Sequence, residues 1–170
     1  MITGSHYISK TLQSLHYYLR TANYDDGGTA KTLISDYDNL EIVAGFPDSL
    51  EKVTLPTLAI MMNPIGEQVV SYNSTTKLVT LSFSIYGFCG GKQTDSDNLF
   101  LRDELCNDVR EILEDTDYIP LYEYPDFITG AGDMSVESVA SRFIEPTGIL
   151  SAEKYRFVID LECEYAKCIG

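Results

Sequence analysis

The residues of this 170-residue chain that could do chemistry fall into five groups, and spacing decides what each can do. Asp160, Glu162 and Glu164, with Glu145 and Glu153 upstream, are the first. On a strand, every second side chain shares a face, so the three carboxylates form a row in one environment. Hydrolysis needs an acid and a base tuned apart, which such a row does not provide. It reads as a solvated strand face or the wall of a lumen. Asp25, Asp26, Asp36 and Asp38 are the second group, but no D-x-D-x-D-G run with a closing Glu follows them, so a solvated acidic loop is expected rather than a calcium site. His6 and His16 stand ten apart without acidic or thiol companions at ligand spacing. Cys89, Cys106, Cys163 and Cys168 contain no C-x-x-C pair and are expected to be reduced, buried thiols.

The last group is Gly90-Gly91-Lys92, between an expected strand and an expected helix. A phosphate-binding loop needs G-x-x-x-x-G-K-[ST], so that backbone amides wrap the phosphates and a hydroxyl reaches magnesium. Tyr86 stands at the first glycine and Gln93 at the hydroxyl, so a plain strand-to-helix turn is expected. No nucleophile, base and orienting group assemble from the remaining residues. The expectation is a protein that is not an enzyme, with no catalytic, cofactor or metal residues.

Charge narrows the partners. With 26 acidic residues against 12 Lys plus Arg, the formal charge is −14, a surface that repels phosphate backbones. Nucleic acid could slide past such a wall without sticking. Twelve Tyr and seven Phe serve cores and interfaces alike, and 44% apolar residues in 170 support one domain with a real core. The amino-terminal MITGSHYISK lacks a basic region followed by an apolar run, and no stretch reaches the length of a membrane span. Residence in the cytosol, away from membranes, is expected.

The elements that would position these residues follow from periodicity. Ile8, Leu12, Leu15 and Leu19 draw one apolar stripe down a helix from Ser5 to Thr21, closed by a loop at Asn23–Gly28. Leu40–Phe46 and Leu58–Met62 are strand candidates. Gln68–Thr76 is either a short strand leading to a loop or a mobile arm, so residues around 64–77 stand apart from an otherwise single domain over 1–170. Lys77–Phe88 alternates Val79, Leu81, Phe83 and Ile85 with a hydroxyl-rich face. A helix from about Asp95 to Asp115 buries Leu101, Leu105, Val109 and Ile112, with Thr94, Asp95 and Ser96 competing as N-cap. Tyr118–Tyr124 is an edge strand limited by Pro120 and Pro125. Asp126–Asp133 reads as a loop and Ser135–Pro146 as a strand of mixed quality. Ala152–Tyr165 is the clearest strand: Tyr155, Phe157, Ile159, Leu161, Cys163 and Tyr165 alternate with a face that carries Lys154 and Arg156 at one end and Asp160, Glu162 and Glu164 at the other. The fold class is α+β, a mostly antiparallel sheet with two amphipathic helices packed on one face.

This order of elements, together with the run Gly45-Phe46-Pro47-Asp48-Ser49-Leu50-Glu51-Lys52-Val53-Thr54-Leu55-Pro56-Thr57-Leu58, the strand Leu81–Gly87 and the closing strand Tyr155–Leu161, resembles the tail terminator, or tail completion, proteins of tailed bacteriophages. The resemblance implies a small structural virion protein, assembled in the host cytoplasm and placed in the tail or neck. It would form a homo-oligomeric ring, usually a hexamer, at the head-proximal end of the tail tube. It would stop tube growth and dock to the head connector, while DNA passes without specific binding. Phe46, Tyr72, Tyr122, Tyr124 and Phe127 are then interface candidates. Lys154, Arg156, Asp160, Glu162 and Glu164 are candidates for a charged lumen or for pairing between neighbours. Another neck or head-tail connector component is the nearest alternative, and an acidic monomeric adaptor or inhibitor a more distant one.

Overall fold

The computed structural model describes residues 4–47, 49, 52–63, 66–68, 76–123, 128–146, 148 and 151–168. Its two longest-paired strands are β6 (Thr76–Cys89) and β9 (Tyr155–Cys168), antiparallel along their whole length. On the far side of β9 lies β8 (Ile128–Ile144), and on β8 lies the edge strand β7 (Tyr118–Glu123). On the far side of β6 lies β4 (Thr57–Met62), with β5 (Gly66–Gln68) further along the same flank. The other edge is β3 (Glu41–Ala44), parallel to β4 and the one parallel pair among these strands.

Alternation on β6 and β9 sends one set of side chains inward. Val79, Leu81, Phe83 and Ile85 meet Phe157, Ile159, Leu161 and Cys163 in one buried cluster. Helix α1 (Gly4–Thr21) adds Leu15 and Leu19 to that cluster, and α3 (Asp95–Glu114) adds Leu101, Leu105, Val109, Ile112 and Leu113. A fully buried leucine of this kind contributes about 1.5–3 kcal/mol by leaving water. Thr94 caps α3, its hydroxyl accepting from the Asp97 amide at 3.1 Å, because the first helical N–H groups have no partner inside the helix.

Directly opposite Phe157 on β6 stands Gly87. A methyl there would lie 2.1 Å from a carbon of the Phe157 ring, so the absence of a side chain makes room for the ring in the core. The connection after β6 closes on itself: Asn98 accepts from the Lys92 amide and donates to its carbonyl. Gly90-Gly91-Lys92 is thus the turn expected.

Helix α1 touches both edges of the sheet. Ser14 Oγ accepts the Tyr122 amide of β7 at 3.0 Å, and His16 Nε2 lies 2.7 Å from the Ile42 carbonyl of β3. A carbonyl only accepts, so His16 carries its hydrogen on Nε2. Ser14 and His16 are two residues apart, about 3 Å along a helix axis. Both edges of a sheet six strands across, whose flat width would be about 24 Å, therefore approach a single turn of helix. The sheet curls, and α1 fills the gap between its edges.

Four segments differ from expectation. Asn23–Gly28 is part of a hairpin, β1 (Tyr24–Asp26) and β2 (Thr29–Lys31), turned at Gly27 and Gly28, whose positive φ of 61° and 92° fits a two-residue hairpin turn. After it comes the short α2 (Leu33–Asp36), held by a reciprocal Thr32–Ser35 capping box. Strand β8 begins at Ile128, inside the segment expected to be a loop. Its mixed pattern has a cause: a register shift between Val136 and Ser138 swaps the faces, so Val136 and Val139 both pack against the core. The closing strand starts at Tyr155 instead of Ala152, after a helical turn, α4 (Ser151–Lys154), and runs on to Cys168. Of the expected arm around 64–77, residues 66–68 form β5 and 76–77 begin β6, while 64–65 and 69–75 lie outside the described residues.

Candidate functional site

The face of the sheet turned away from the main cluster brings together most of the charged residues singled out above. β-Pairing sets Thr80, Ser82 and Ser84 of β6 against Glu164, Glu162 and Asp160 of β9, and Ser138 and Ala140 of β8 beyond them. A polar chain crosses three strands at its centre. Asn63, just past β4, donates to Ser82 Oγ at 3.2 Å and Ser84 Oγ at 2.9 Å. Ser84 Oγ donates to Asp160 Oδ1 at 3.0 Å, and Arg142 Nε of β8 stands 3.9 Å from Asp160 Oδ2. That last pair is long and well exposed, so it contributes little to stability and stays available for exchange.

Asp160 is therefore engaged, whereas Glu162 is exposed and Glu164 half-buried. Arg156 sits opposite Ile144, its guanidinium reaching the Glu145 carbonyl at 3.4 Å. Lys154 lies off the strand, exposed in the α4 turn, so the basic end of the strip is built from Arg142 and Arg156, with Lys154 beside it. Sequence periodicity missed Arg142 and Asn63, since Arg142 lies past the β8 bulge and Asn63 outside any strand.

One end of this face carries a small apolar cluster. Ala59 and Phe88 are fully buried there beneath Val43, Val53, Leu55 and Tyr86. The segment that follows β3 supplies the lid: Phe46 is 45% exposed and meets Tyr86 and Phe88 edge-on at 5.4 and 5.6 Å. Tyr122 instead points to α1, its ring 4.5 Å from that of Tyr17. Tyr72, Tyr124 and Phe127 lie outside the described residues.

A concavity of about 630 Å³ opens between α2 and α3. Asp36, Asp38, Asp97, Glu104 and Asp108 line it with Lys92, and Phe100 projects beside them, 65% exposed. The Tyr24 hydroxyl donates to Asp36 and holds its carboxyl below the usual range, against partial burial and with help from Lys31 at 3.0 Å. Tyr37 donates to Asp108; burial first, then that carboxylate, push its hydroxyl far above the ordinary phenol range. These bonds pin the hairpin and α2 to α3. Among the described residues no group of three or more His, Cys, Asp or Glu is placed to hold a metal ion. Cys89, Cys106 and Cys163 are buried free thiols, and burial pushes Cys89 and Cys163 up to about 12, far from the thiolate that a nucleophile requires. Also among the described residues, no helix is long and apolar enough to cross a membrane.

No family model matches the chain, and no curated protein matches it. Among solved structures, 25 chains match. One is the sheath/tube terminator, in the extended state, of the extracellular contractile injection system PVC, solved by cryo-EM. Its TM-score is 0.49 at 11% identity, over 100% of this chain and 58% of that one. The present chain thus spans a little over half the length of that neighbour.

Proposed function

We propose that this chain is a structural subunit of the tail-terminator type, one that closes a ring at the head-proximal end of a phage tail tube and has no catalytic centre of its own. In this reading α1 and α3 cover one face of the sheet, and the opposite face serves assembly. The observation that carries it is that opposite face. Three long strands expose a hydroxyl and carboxylate surface of Thr80, Ser82, Glu162 and Glu164 beside a basic end at Arg142 and Arg156. A surface of both signs suits pairing between successive copies, and its acidic part suits a bore past which DNA moves without arrest. Further support comes from the resembling run: Phe46 and the segment from Lys52 to Leu55 fold over one end of this same face.

The ring is taken as a hexamer, with the tail tube protein below and the head connector above, assembled in the host cytoplasm and carried in the virion. Phe46 and Tyr122 are the described interface candidates. The acidic concavity around Phe100 favours a second reading, a monomeric acidic adaptor whose carboxylates meet a basic partner. Native mass spectrometry and negative-stain microscopy, with and without tail tube protein, separate the two. The ring reading expects closed rings with a central opening, and weaker ring closure for Glu162→Lys. A strictly monomeric species at high concentration, even with the tube protein present, refutes it.

A further inference from the structure

The contact of α1 with both sheet edges has the geometry of a guard. Unpaired edge strands present rows of backbone N–H and C=O groups that pair readily with another chain. On β3 the Glu41 and Gly45 amides point at β4, bonding the Pro56 and Ile60 carbonyls. Alternation then turns the backbone groups of Ile42 and Ala44 to the free edge, and His16 takes the Ile42 carbonyl. On β7 the Tyr122 amide is taken by Ser14. Residues two apart on a helix lie about 200° apart around its axis, so one turn presents Ser14 and His16 to opposite sides, one to each edge. Thr11 and Ser14 are fully buried on the same helix. Part of the seal is therefore made by the Ser14 hydroxyl against backbone, while Leu15 and Leu19 anchor the helix in the core.

We propose that α1 is a latch over two latent strand-pairing surfaces, and that lifting it lets β3 of one copy pair with β7 of a second copy. The second copy is the fitting partner because one chain carries both edges, uncovered together by one movement. Joining β3 to β7 of the next molecule continues the sheet head to tail, a heterologous contact. The inference does not depend on the ring reading, since the edges and the latch belong to the single chain.

The test is sedimentation velocity on the full chain carrying Ser14→Ala and His16→Ala together, compared with the unsubstituted protein. Self-association at least tenfold tighter is expected. Adding Ala44→Pro should return it to the starting value, because the lost N–H faces the free edge and leaves the β4 ladder whole. His16→Gln keeps a side-chain donor and should behave as the unsubstituted protein. Unchanged association in the double variant, or association that Ala44→Pro leaves in place, overturns the proposal. If the double variant loses its far-UV signal, Ser14→Ala alone is read by hydrogen exchange. At least tenfold faster exchange of the Tyr122 amide is expected, and unchanged exchange overturns the proposal equally.

Discussion

Replacing Gly87 with Ala tests the packing of the central strand pair, because two effects of opposite sign compete there. In a strand interior, Gly costs about 0.5–1 kcal/mol relative to Ala through backbone entropy, so the substitution alone should stabilise. The structure predicts the reverse. The new Cβ would lie 2.1, 2.3 and 2.6 Å from three carbons of the Phe157 ring, about 0.8–1.3 Å short of the 3.4 Å at which ordinary contact begins. Phe157 is fully buried, so its ring cannot swing into solvent and must displace neighbours in the core. Overpacking of this kind costs typically 1–3 kcal/mol, which outweighs the entropic gain. A loss of about 1–2 kcal/mol is expected, seen as a lower urea midpoint at unchanged slope and, at this chain length, a melting temperature lower by about 3 °C per kcal/mol. A double-mutant cycle with Phe157→Leu isolates the cause. Leu lacks the ring edge that Ala would meet, so the double variant should cost less than the sum of the singles by about 1 kcal/mol. A Gly87→Ala protein as stable as the parent, or costs that simply add, would refute the close approach of Gly87 to the ring.

Three further outcomes follow from local geometry. Thr94→Ala removes the cap of α3 and should cost about 1 kcal/mol in urea unfolding, whereas Thr94→Asp should stay within a few tenths of the parent. Asp36 has its folded-state pKa lowered below the unfolded value by Tyr24 and Lys31. Its contribution is present above the unfolded pKa near 3.8 and is lost as pH falls through the lower folded one; Asp36→Asn should therefore lower stability at pH 6, with the gap closing as pH falls below 3.8. Native alkylation with iodoacetamide at pH 8, mapped residue by residue, should leave Cys89 and Cys163 unlabelled until urea unfolds the chain, because burial keeps both as thiols.

How much of this was legible in the sequence depended on whether a segment kept one period. Strands β6 and β9 and helix α3 hold theirs over most of their length, and Leu81, Phe83, Leu105 and Ile159 are buried as the periodicity selects, whereas Phe88 and Val158 are buried on the opposite face, out of phase with it. Strand β8 changes phase at the bulge, so Val136 and Val139 cannot both fit one alternation although both face the core. The hairpin at Gly27-Gly28 was hidden because its strands are three residues each, too short for any period, and because carboxylates on turn residues read as loop. The pairing of Ser84 with Asp160 was implicit in two alternating strands. That they stand side by side, with Asn63 and Arg142 completing the chain, is a property of register, which no single segment encodes.

Helix α1 shows the limit most clearly. Its leucine stripe announces a helix against a core, and Leu15 and Leu19 are buried as such a stripe requires. Thr11 and Ser14 are equally buried, although hydroxyls beside a stripe ordinarily face water. They are inside because α1 lies where the curled sheet brings its edges together, and Ser14 there meets the Tyr122 backbone amide. An amide at a strand edge needs an acceptor, since a buried polar group without one costs about 1–3 kcal/mol. Leucine at position 14 would supply more apolar surface and leave the Tyr122 amide unmet. The small polar residues adjoining the stripe are therefore the trace in the sequence of a sheet that curls until both of its edges reach one helix.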